Sequence, residues 1–307
     1  MDDVVFSGYQ RDSYLVNAHV PRFGSGEAKG VIDESVRGMD LYILVDVCNY
    51  SLTYSMSGNT NHMSPDDHYQ NLKRIIAAVG GKAKRINVIM PFLYESRQHK
   101  RSSRESLDCA LALQELTHMG VDNIITFDAH DPRVQNAIPL SGFETVRPTY
   151  QFVKGLLDRY DDLIIDSDHM MAISPDEGAT ERAVYLANVL NLDMGMFYKR
   201  RDYTRVVNGR NPIVAHEFLG SSVEGKDVII LDDMISSGDS ILDVAKQLKS
   251  RNAKRIFAAA TFGLFTNGLD KFDEAYESGL IDGVLTTNLI YQTPELLSRP
   301  YYINCDM

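Results

Sequence analysis

The stretch VIILDDMISSGDSILDVAKQL, which runs from Val228 to Leu248, contains the signals of a strand, a loop and a helix in direct succession. Its first part is a run of aliphatic residues that ends in two adjacent aspartates, Asp232 and Asp233. A run without polar alternation is typical of a parallel strand that is covered on both faces of its sheet. After a loop of small polar residues, apolar side chains recur at helical spacing from Ile241 to Leu248, which predicts a helix packed on that strand. The stretch therefore predicts an α/β fold.

The same alternation of strand and helix signals continues along most of the chain. Aliphatic runs that predict further buried strands lie at 41–47, 85–92, 123–128, 171–176, 194–198 and 255–262. Amphipathic helical patterns lie between them, for example at 72–79 and 183–190. Such alternation indicates parallel sheets flanked by helices. It occurs in two comparable blocks around the turn-rich stretch 138–148, and a length of 307 residues favours two domains. We therefore expect two similar domains, 1–145 and 146–307.

The composition is that of an ordinary globular protein. Hydrophobic residues make up 44% of the chain and charged residues 24%, which suffices for sizeable cores. No apolar run approaches the roughly 18 residues of a membrane-spanning helix, and the acidic N-terminus lacks the basic and apolar regions of a signal peptide. The three cysteines are odd in number and widely spaced, which argues against a disulfide framework and a Cys-rich zinc site. These features predict a cytoplasmic protein that has no membrane partner.

The net charge of −11 argues against a nucleic-acid partner, because the overall field repels a phosphate backbone. Basic residues nevertheless cluster in two stretches, 96–104 and 198–205. Local basic clusters on an acidic chain are typical of anion sites. The alternative is that these residues are solvated helix ends or loops, and composition alone does not separate the two interpretations.

Polar side chains follow one predicted strand after another. They include Arg97, Gln98, Asp128, His130, Asp176, Lys199 and Arg201. Ligands of open parallel sheets bind outside the carboxyl ends of the strands. We therefore expect the functional site to be built from these residues and from the loop that follows Asp233.

The loop from Ser236 to Ser240 has the composition of a phosphate-binding nest. Small residues between a strand and a helix leave backbone N–H groups pointing at one spot, and the serine hydroxyls add donors. The loop is not a Walker A motif, because the chain contains no GxxxxGK[ST] pattern. Asp232 and Asp233 are suited to accept hydrogen bonds from ribose hydroxyls or to hold a divalent cation through its water shell. The alternative is that Asp232 caps a turn and Ser240 caps the helix.

Several motifs resemble those of one enzyme family and follow that family's order over nearly the whole chain. VIILDDMISSGDS resembles the phosphoribosyl-pyrophosphate loop that type I phosphoribosyltransferases share with phosphoribosyl-pyrophosphate synthetases. Four further segments resemble the synthetases in particular: SRQHKRSSRE, ITFDAHDPRVQNAIP, SPDEGATERA and YKRRD. FSG at 6–8, RFGSGE at 22–27 and ESVRGMDLYIL at 34–44 resemble segments near the start of that family. Together the motifs resemble the ribose-phosphate pyrophosphokinase family.

This resemblance implies two domains of type I phosphoribosyltransferase-like fold, with ATP on the N-terminal side and ribose 5-phosphate on the C-terminal side. The implied reaction moves the diphosphoryl group of ATP to the 1-hydroxyl of ribose 5-phosphate and gives phosphoribosyl pyrophosphate and AMP. Because two highly charged phosphates must meet, the reaction needs cations. The implied cofactor is Mg²⁺, which prefers oxygen ligands and keeps several waters, so that a few carboxylates suffice.

The resemblance also implies a role for each matching residue. The catalytic residues would be Lys199 and Arg201, in a mobile loop that stabilises the charge on the transferring phosphates. The ATP-binding residues would be Phe23, Glu27, Arg97, Gln98 and His130. The ribose 5-phosphate site would consist of Asp176, Asp232, Asp233, Ser236, Ser237, Gly238, Asp239 and Ser240. The metal ligands would be His130 and Asp176. Phe23 and Glu27 match a segment that reaches a neighbouring subunit in the family, which implies a homo-oligomer built from dimers, hexameric in many members.

The chain departs from the family pattern inside the phosphate loop. Ser236 stands where the family has a third aspartate, and Asp239 occupies a position that is usually glycine. A carboxylate in a phosphate nest should repel the phosphate unless it points away or meets a cation. Two alternatives therefore stay open. One is a catalytically weak or inactive regulatory homologue that binds an active synthetase, and the other is a phosphoribosyltransferase that uses phosphoribosyl pyrophosphate.

Overall fold

The computed structural model describes residues 13–201 and 213–307, with side chains described for 13–198 and 217–307. The chain divides into two compact units. The first unit comprises Met1–Thr126 and Asp131–Thr145, and the second comprises Phe127–His130 and Val146–Met307.

The first unit contains a mainly parallel four-stranded sheet with two helices. Its elements are β1 Ala18–His19, β2 Val31–Ile32, β3 Asp40–Leu44, β4 Thr53–Met56, β5 Asn59–His62, α1 Pro65–Val79, β6 Arg85–Ile89, α2 Asp108–His118, β7 Asn123–Phe127, a 3₁₀ helix at Pro132–Ala137, and β8 Gly142–Val146. The sheet has the order β3-β6-β7-β8, and β3, β6 and β7 are parallel. Strands β1 and β2 form one small antiparallel pair, and β4 and β5 form another.

The second unit contains a seven-stranded sheet. Its elements are α3 Thr149–Arg159, β9 Met170–Ser174, α4 Thr180–Leu190, β10 Asp193–Arg201, β11 Ile213–Leu219, β12 Asp227–Ile235, α5 Asp239–Lys249, β13 Ile256–Gly263, α6 Asp270–Glu277, β14 Gly283–Thr287, α7 Pro294–Leu297 and β15 Tyr302–Cys305. The strand order is β11-β10-β9-β12-β13-β14-β15. All neighbouring pairs are parallel except β10 and β11, which are antiparallel.

Strand β12 shows why this sheet forms. Val228 and Ile230 belong to a core on one face, together with side chains of α5 and α6. Ile229 and Leu231 belong to a second core on the opposite face, together with side chains of α3 and α4. Because both faces are covered, an unbroken aliphatic run is the pattern that this strand requires. The carboxyl-terminal part of β12, which carries Asp232 and Asp233, therefore emerges from a doubly packed sheet.

The predicted fold class is confirmed, and each of the seven predicted strands overlaps a strand of the structure. The predicted helical patterns lie in α1, α4 and α5. The sequence analysis missed the short strands β14 and β15, the antiparallel β11, and β8 within the turn-rich stretch 138–148. No helix in the described ranges is long and apolar enough to cross a membrane.

Candidate active site

The candidate site lies at the carboxyl end of β12 in the second unit. Strand β12 ends between β9 and β13, to which it is parallel on both sides. The segment Phe127–His130 belongs to the same unit. As a result, acidic and basic side chains from four separate stretches of sequence meet at one edge of the sheet.

Asp233 forms the most direct link within this group. A 2.7 Å hydrogen bond joins Nδ1 of His130 to Oδ2 of Asp233, and the Asp233 side chain is buried. Burial by itself raises the pKa of this carboxyl, but the hydrogen bond to His130 and the positive charge of Arg182 together hold it below its ordinary value. Asp233 is therefore stabilised as a carboxylate.

The environment of Asp232 disfavours its ionised form, in contrast to that of Asp233. Oδ1 of Asp232 accepts a 2.9 Å hydrogen bond from the backbone N–H of Asp233, but both residues lie within β12, so the alternative in which Asp232 caps a turn is wrong. Burial, followed by the negative charge of Asp233 and a smaller contribution from Asp176, raises the pKa of the Asp232 carboxyl well above its ordinary value. A cation placed here would stabilise the ionised form of Asp232.

Asp176 follows β9, which is paired in parallel with β12, and its charge makes a small contribution to the raised pKa of Asp232. Its Oδ1 accepts hydrogen bonds from the backbone N–H groups of Gly178, at 2.9 Å, and Ala179, at 3.3 Å. These bonds hold the carboxylate in the turn that leads into α4. Asp176, Asp232, Asp233 and His130 are thus brought together as the strand-end pattern predicts.

A buried ion pair between Arg182 and Asp128 holds the backbone of His130 in place. Nε of Arg182 donates to Oδ1 of Asp128 at 2.7 Å, and the hydroxyl of Thr261 donates to Oδ2 of Asp128 at 2.6 Å. The Arg182 guanidinium also donates to the backbone oxygens of Ala129, at 3.0 Å, and His130, at 3.4 Å. The backbone that carries His130 is therefore fixed by side chains from α4 and β13.

The sequence analysis did not single out Arg182 as a site residue. A signal for it exists, because Arg182 precedes the buried Leu186 by one helical turn and so lies on the core-facing side of α4. A charged side chain on such a face is rarely buried without a partner. Its partner Asp128 has a backbone φ of +40°, a conformation that is uncommon for a non-glycine residue. Burial raises the pKa of the Asp128 carboxyl despite the nearby charge of Arg182.

The loop after β12 caps the N-terminus of α5 only weakly, through a 3.4 Å hydrogen bond from the backbone N–H of Asp239 to the hydroxyl of Ser237. The helix begins at Asp239 and its cap position is Gly238, so the alternative in which Ser240 caps the helix is wrong. Helix α1 differs, because Ser64 and Asp67 form a complete capping box there. The first N–H groups of a helix have no intrahelical partner. Those of α5 are therefore suited to bind an anion.

Gly238 is required by the loop for two reasons. Its φ of +81° lies in the left-handed region, which glycine adopts without strain. A Cβ at this position would collide with the ring of Phe272 on α6. The backbone oxygen of Ser236 accepts a 3.0 Å hydrogen bond from the N–H of Thr266, so the loop is fastened to the segment that follows β13.

The predicted ATP-binding residues other than His130 lie in the first unit. Phe23 and Glu27 close one turn, in which the N–H of Phe23 donates to the backbone oxygen of Glu27 at 2.7 Å. Phe23 and Arg97 are exposed, and the amide of Gln98 donates to the backbone oxygen of Ser106 at 2.8 Å. Lys199 and Arg201, the predicted catalytic residues, have side chains outside the described residues, as does the FSG motif at 6–8.

The donor set at the end of β12 fits a hydrated Mg²⁺ ion. Carboxylates outnumber cationic groups there, and burial, followed by the negative charge of Asp233, raises the pKa of Asp232. In the described part of the chain, no three His, Cys, Asp or Glu side chains form a ready-made metal cage. Mg²⁺ binds through one or two carboxylates while waters and substrate phosphates fill its other positions. Asp176 and Asp232 are the oxygen donors that suit this arrangement.

Two family models match the chain. The N-terminal domain of ribose phosphate pyrophosphokinase matches residues 9–120, and the phosphoribosyl transferase domain matches residues 147–287. A ribose-phosphate pyrophosphokinase of Mycoplasma genitalium is 31% identical over 272 residues, which cover 88% of this chain and 74% of the relative. One of Pasteurella multocida is 30% identical over 285 residues, covering 92% and 81% respectively.

A solved structure has a similar fold. The phosphoribosylpyrophosphate synthetase of Mycobacterium smegmatis superposes with a TM-score of 0.76 at 24% sequence identity. The match covers 96% of this chain and 87% of that protein.

Proposed function

Because the chain belongs to the ribose-phosphate pyrophosphokinase family, we propose that it transfers the diphosphoryl group of ATP to the 1-hydroxyl of ribose 5-phosphate. The products are AMP and phosphoribosyl pyrophosphate, a precursor for nucleotide biosynthesis. The observation that carries the proposal is that Asp232 and Asp233 lie on the same strand–loop–helix unit as the weakly capped N-terminus of α5. This unit offers acceptors for ribose hydroxyls directly beside donors for a phosphate.

Ribose 5-phosphate occupies the second unit in this proposal. The 5-phosphate binds at the first turn of α5, through the residues Ser236, Ser237, Gly238, Asp239 and Ser240. Asp232 and Asp233 accept hydrogen bonds from the ribose hydroxyls. Asp176 approaches from the turn before α4. The sugar then lies on the rigid edge of a doubly packed sheet, which favours precise positioning of its 1-hydroxyl.

ATP is proposed to bind through residues of the first unit, namely Phe23, Glu27, Arg97 and Gln98, and through His130. The 1-hydroxyl oxygen attacks the β-phosphorus of ATP, the bond from that phosphorus to the AMP oxygen breaks, and AMP leaves with the electron pair while the hydroxyl loses its proton. Lys199 and Arg201 stabilise the charge on the transferring group. A bound Mg²⁺ would neutralise phosphate charge. Asp176 and His130 are its protein contacts by the family resemblance, and Asp232 is a further oxygen donor that suits it. Cytoplasmic location and a homo-oligomeric state built from dimers stay predictions of the sequence.

The test is release of AMP from ATP in the presence of ribose 5-phosphate and Mg²⁺ by the purified protein. We expect turnover that requires all three components and falls by at least about 100-fold in the Lys199→Ala variant, the range typical of one lost electrostatic contact to a transition state. Turnover no higher than that of Lys199→Ala would instead favour a regulatory homologue. Base-dependent release of pyrophosphate from phosphoribosyl pyrophosphate would favour a phosphoribosyltransferase.

A further inference from the structure

Asp239 places a carboxylate at the first position of α5, within the loop that is proposed to hold the 5-phosphate. Its Oδ2 accepts a 3.0 Å hydrogen bond from the hydroxyl of Ser237. Ser237 is one of the donors that a phosphate in this loop would use. The carboxylate therefore faces the loop rather than pointing away from it, and its charge needs a counterpart before a dianion can bind.

The counterpart is Lys271, on the first turn of α6. Its ammonium donates to Oδ1 of Asp239 at 2.5 Å. This hydrogen bond, followed by that from Ser237, holds the pKa of Asp239 below its ordinary value. An ammonium has three donors, and the bond to Asp239 uses one of them. Because Asp239 is the first residue of α5, the other two donors of the Lys271 ammonium lie near the N-terminus of this helix.

The position of Lys271 is fixed by the packing of α6 against the loop. Phe272, the next residue, lies against Gly238 closely enough to exclude a side chain there. Thr266, which precedes α6, donates from its backbone N–H to the oxygen of Ser236. The start of α6 is thus attached to the phosphate loop at two points besides the ion pair. A flexible lysine stem based there reaches the loop without any movement of the backbone.

The simpler explanation is a surface ion pair with no role in binding, since the side chains of Asp239 and Lys271 are 55% and 52% exposed. Helix α5 offers a direct comparison. Lys246 donates to Oδ1 of Asp243 at 3.2 Å, and both side chains are exposed. That pair lies beyond the first turn, away from the phosphate loop. The two pairs are alike in chemistry and differ in their distance from the phosphate loop.

We propose that Lys271 is a further phosphate-binding residue, held over the N-terminus of α5 by Asp239 and donating directly to the 5-phosphate of ribose 5-phosphate. The inference rests on the proposed function for the identity of the ligand. It explains how this loop tolerates a carboxylate where the resembling family has glycine. Asp239 positions the ammonium, and the ammonium neutralises Asp239 while it binds the phosphate.

The experiment is calorimetric titration of the full-length protein with ribose 5-phosphate, and separately with inorganic phosphate, at one fixed salt concentration. We expect Lys271→Met to weaken binding of both ligands by about tenfold or more, as loss of a hydrogen bond between charged groups does. Lys271→Arg should recover most of that loss. Lys246→Met, the matched control, should bind like the wild type. Equal affinity of Lys271→Met and the wild type would reject the inference, as would a wild type that binds neither ligand.

A double variant separates direct binding from mere neutralisation of Asp239. If Lys271 only masks the charge of Asp239, then Asp239→Asn combined with Lys271→Met should bind as tightly as Asp239→Asn alone, and that result would overturn the inference. If Lys271 donates to the phosphate, the double variant should stay weaker. Release of AMP is measured in a separate assay. A wild type that binds ribose 5-phosphate through Lys271 without releasing AMP would reject the proposed activity and leave this inference standing.

Discussion

The end of β12 and the loop that follows it hold negative charge in two different ways. Asp233 is buried, and its environment comes from His130 and Arg182, which lie far away in the sequence. Asp239 is exposed, and it is balanced by one local serine and one lysine at the surface. The first arrangement is rigid and desolvated, so each charge there interacts strongly with its neighbours. The second is wet and adjustable, which suits a site that must admit and release a phosphate.

The comparison predicts that variants at the buried end act mainly on folding, whereas variants in the loop act mainly on ligand affinity. Removing a partner from a buried ion pair leaves an uncompensated charge in a poorly solvated place. Removing a partner from an exposed pair leaves a charge that water can solvate. Free energies of unfolding and ligand affinities, measured on the same variants, test this division.

The largest effect is expected for Arg182→Met. The side chains of Arg182 and Asp128 are 10% and 9% exposed, and the substitution also removes donors to the backbone oxygens of Ala129 and His130. We expect the free energy of unfolding to fall by about 3–5 kcal/mol. Urea denaturation at neutral pH measures it.

Arg85→Met is the matched control for that variant. Arg85 also pairs with an aspartate, Asp40, but the two side chains are 54% and 35% exposed. The expected loss is much smaller than for Arg182→Met. Losses of similar size in the two variants would contradict the distinction between a buried and an exposed charge.

An intermediate effect is expected for Gly238→Ala, and Gly268→Ala is its control. Both glycines have a left-handed φ, +81° and +78°, but only at Gly238 would the new methyl group meet the ring of Phe272, since Gly268 has open space. The left-handed backbone costs about 1 kcal/mol in either variant. The collision should add about 1–2 kcal/mol at Gly238 alone, together with weaker binding of ribose 5-phosphate. Equal losses in unfolding free energy would show that the loop and α6 separate easily.

The difference between the two regions also explains what the sequence could reveal. The turn between β12 and α5 was predictable because Ser236, Ser237 and Gly238 are consecutive, and its binding of a phosphate stays a prediction. The support of Asp233 was not, because its partner His130 lies 103 residues away, and Thr261 lies 133 residues from the Asp128 that it holds. Only the fold brings these residues together. Asp239 is an intermediate case. Its place in the loop could be predicted from the sequence, but its partner Lys271 could not, because it lies 32 residues further on.

The strands of the large sheet also differ in how well the sequence predicted them. Strands such as β12 and β13 were predicted because both faces are buried, which produces unbroken apolar runs. Strands β14 and β15 were missed although they lie in the same sheet, because their sequences GVLTT and YINC are short and contain polar residues. The threonines of β14 are nevertheless buried, and Thr287 donates to the backbone oxygen of Thr261. A buried hydroxyl that bonds to a neighbouring strand is invisible to hydrophobic pattern alone.

Among the site variants, the smallest change in stability is expected at Asp232, and there the substitution should stabilise the protein. Burial, followed by the charge of Asp233, raises the pKa of this carboxyl in the folded protein. The folded protein then binds more protons than the unfolded chain between the ordinary pKa and the raised one, so the ionisation of Asp232 destabilises the fold as pH rises through that window. Asp232→Asn removes the ionisable group. We therefore expect it to increase the free energy of unfolding at pH 7 by about 1–2 kcal/mol, while it lowers AMP release.

The pH dependence tests this explanation. Urea denaturation from about pH 3 to about pH 8 should show the advantage of Asp232→Asn shrinking towards the acidic end and vanishing below the ordinary pKa, where the wild-type carboxyl is protonated in both states. Asp233→Asn is the control of opposite sign. The pKa of Asp233 is lowered in the folded protein, so its stabilisation is present above the ordinary pKa and is lost as pH falls through the lowered one. Its replacement should reduce stability at pH 7. If Asp232→Asn and the wild type had the same free energy of unfolding at every pH, the ionised Asp232 would not destabilise the fold. A bound cation would then have no such destabilisation to relieve.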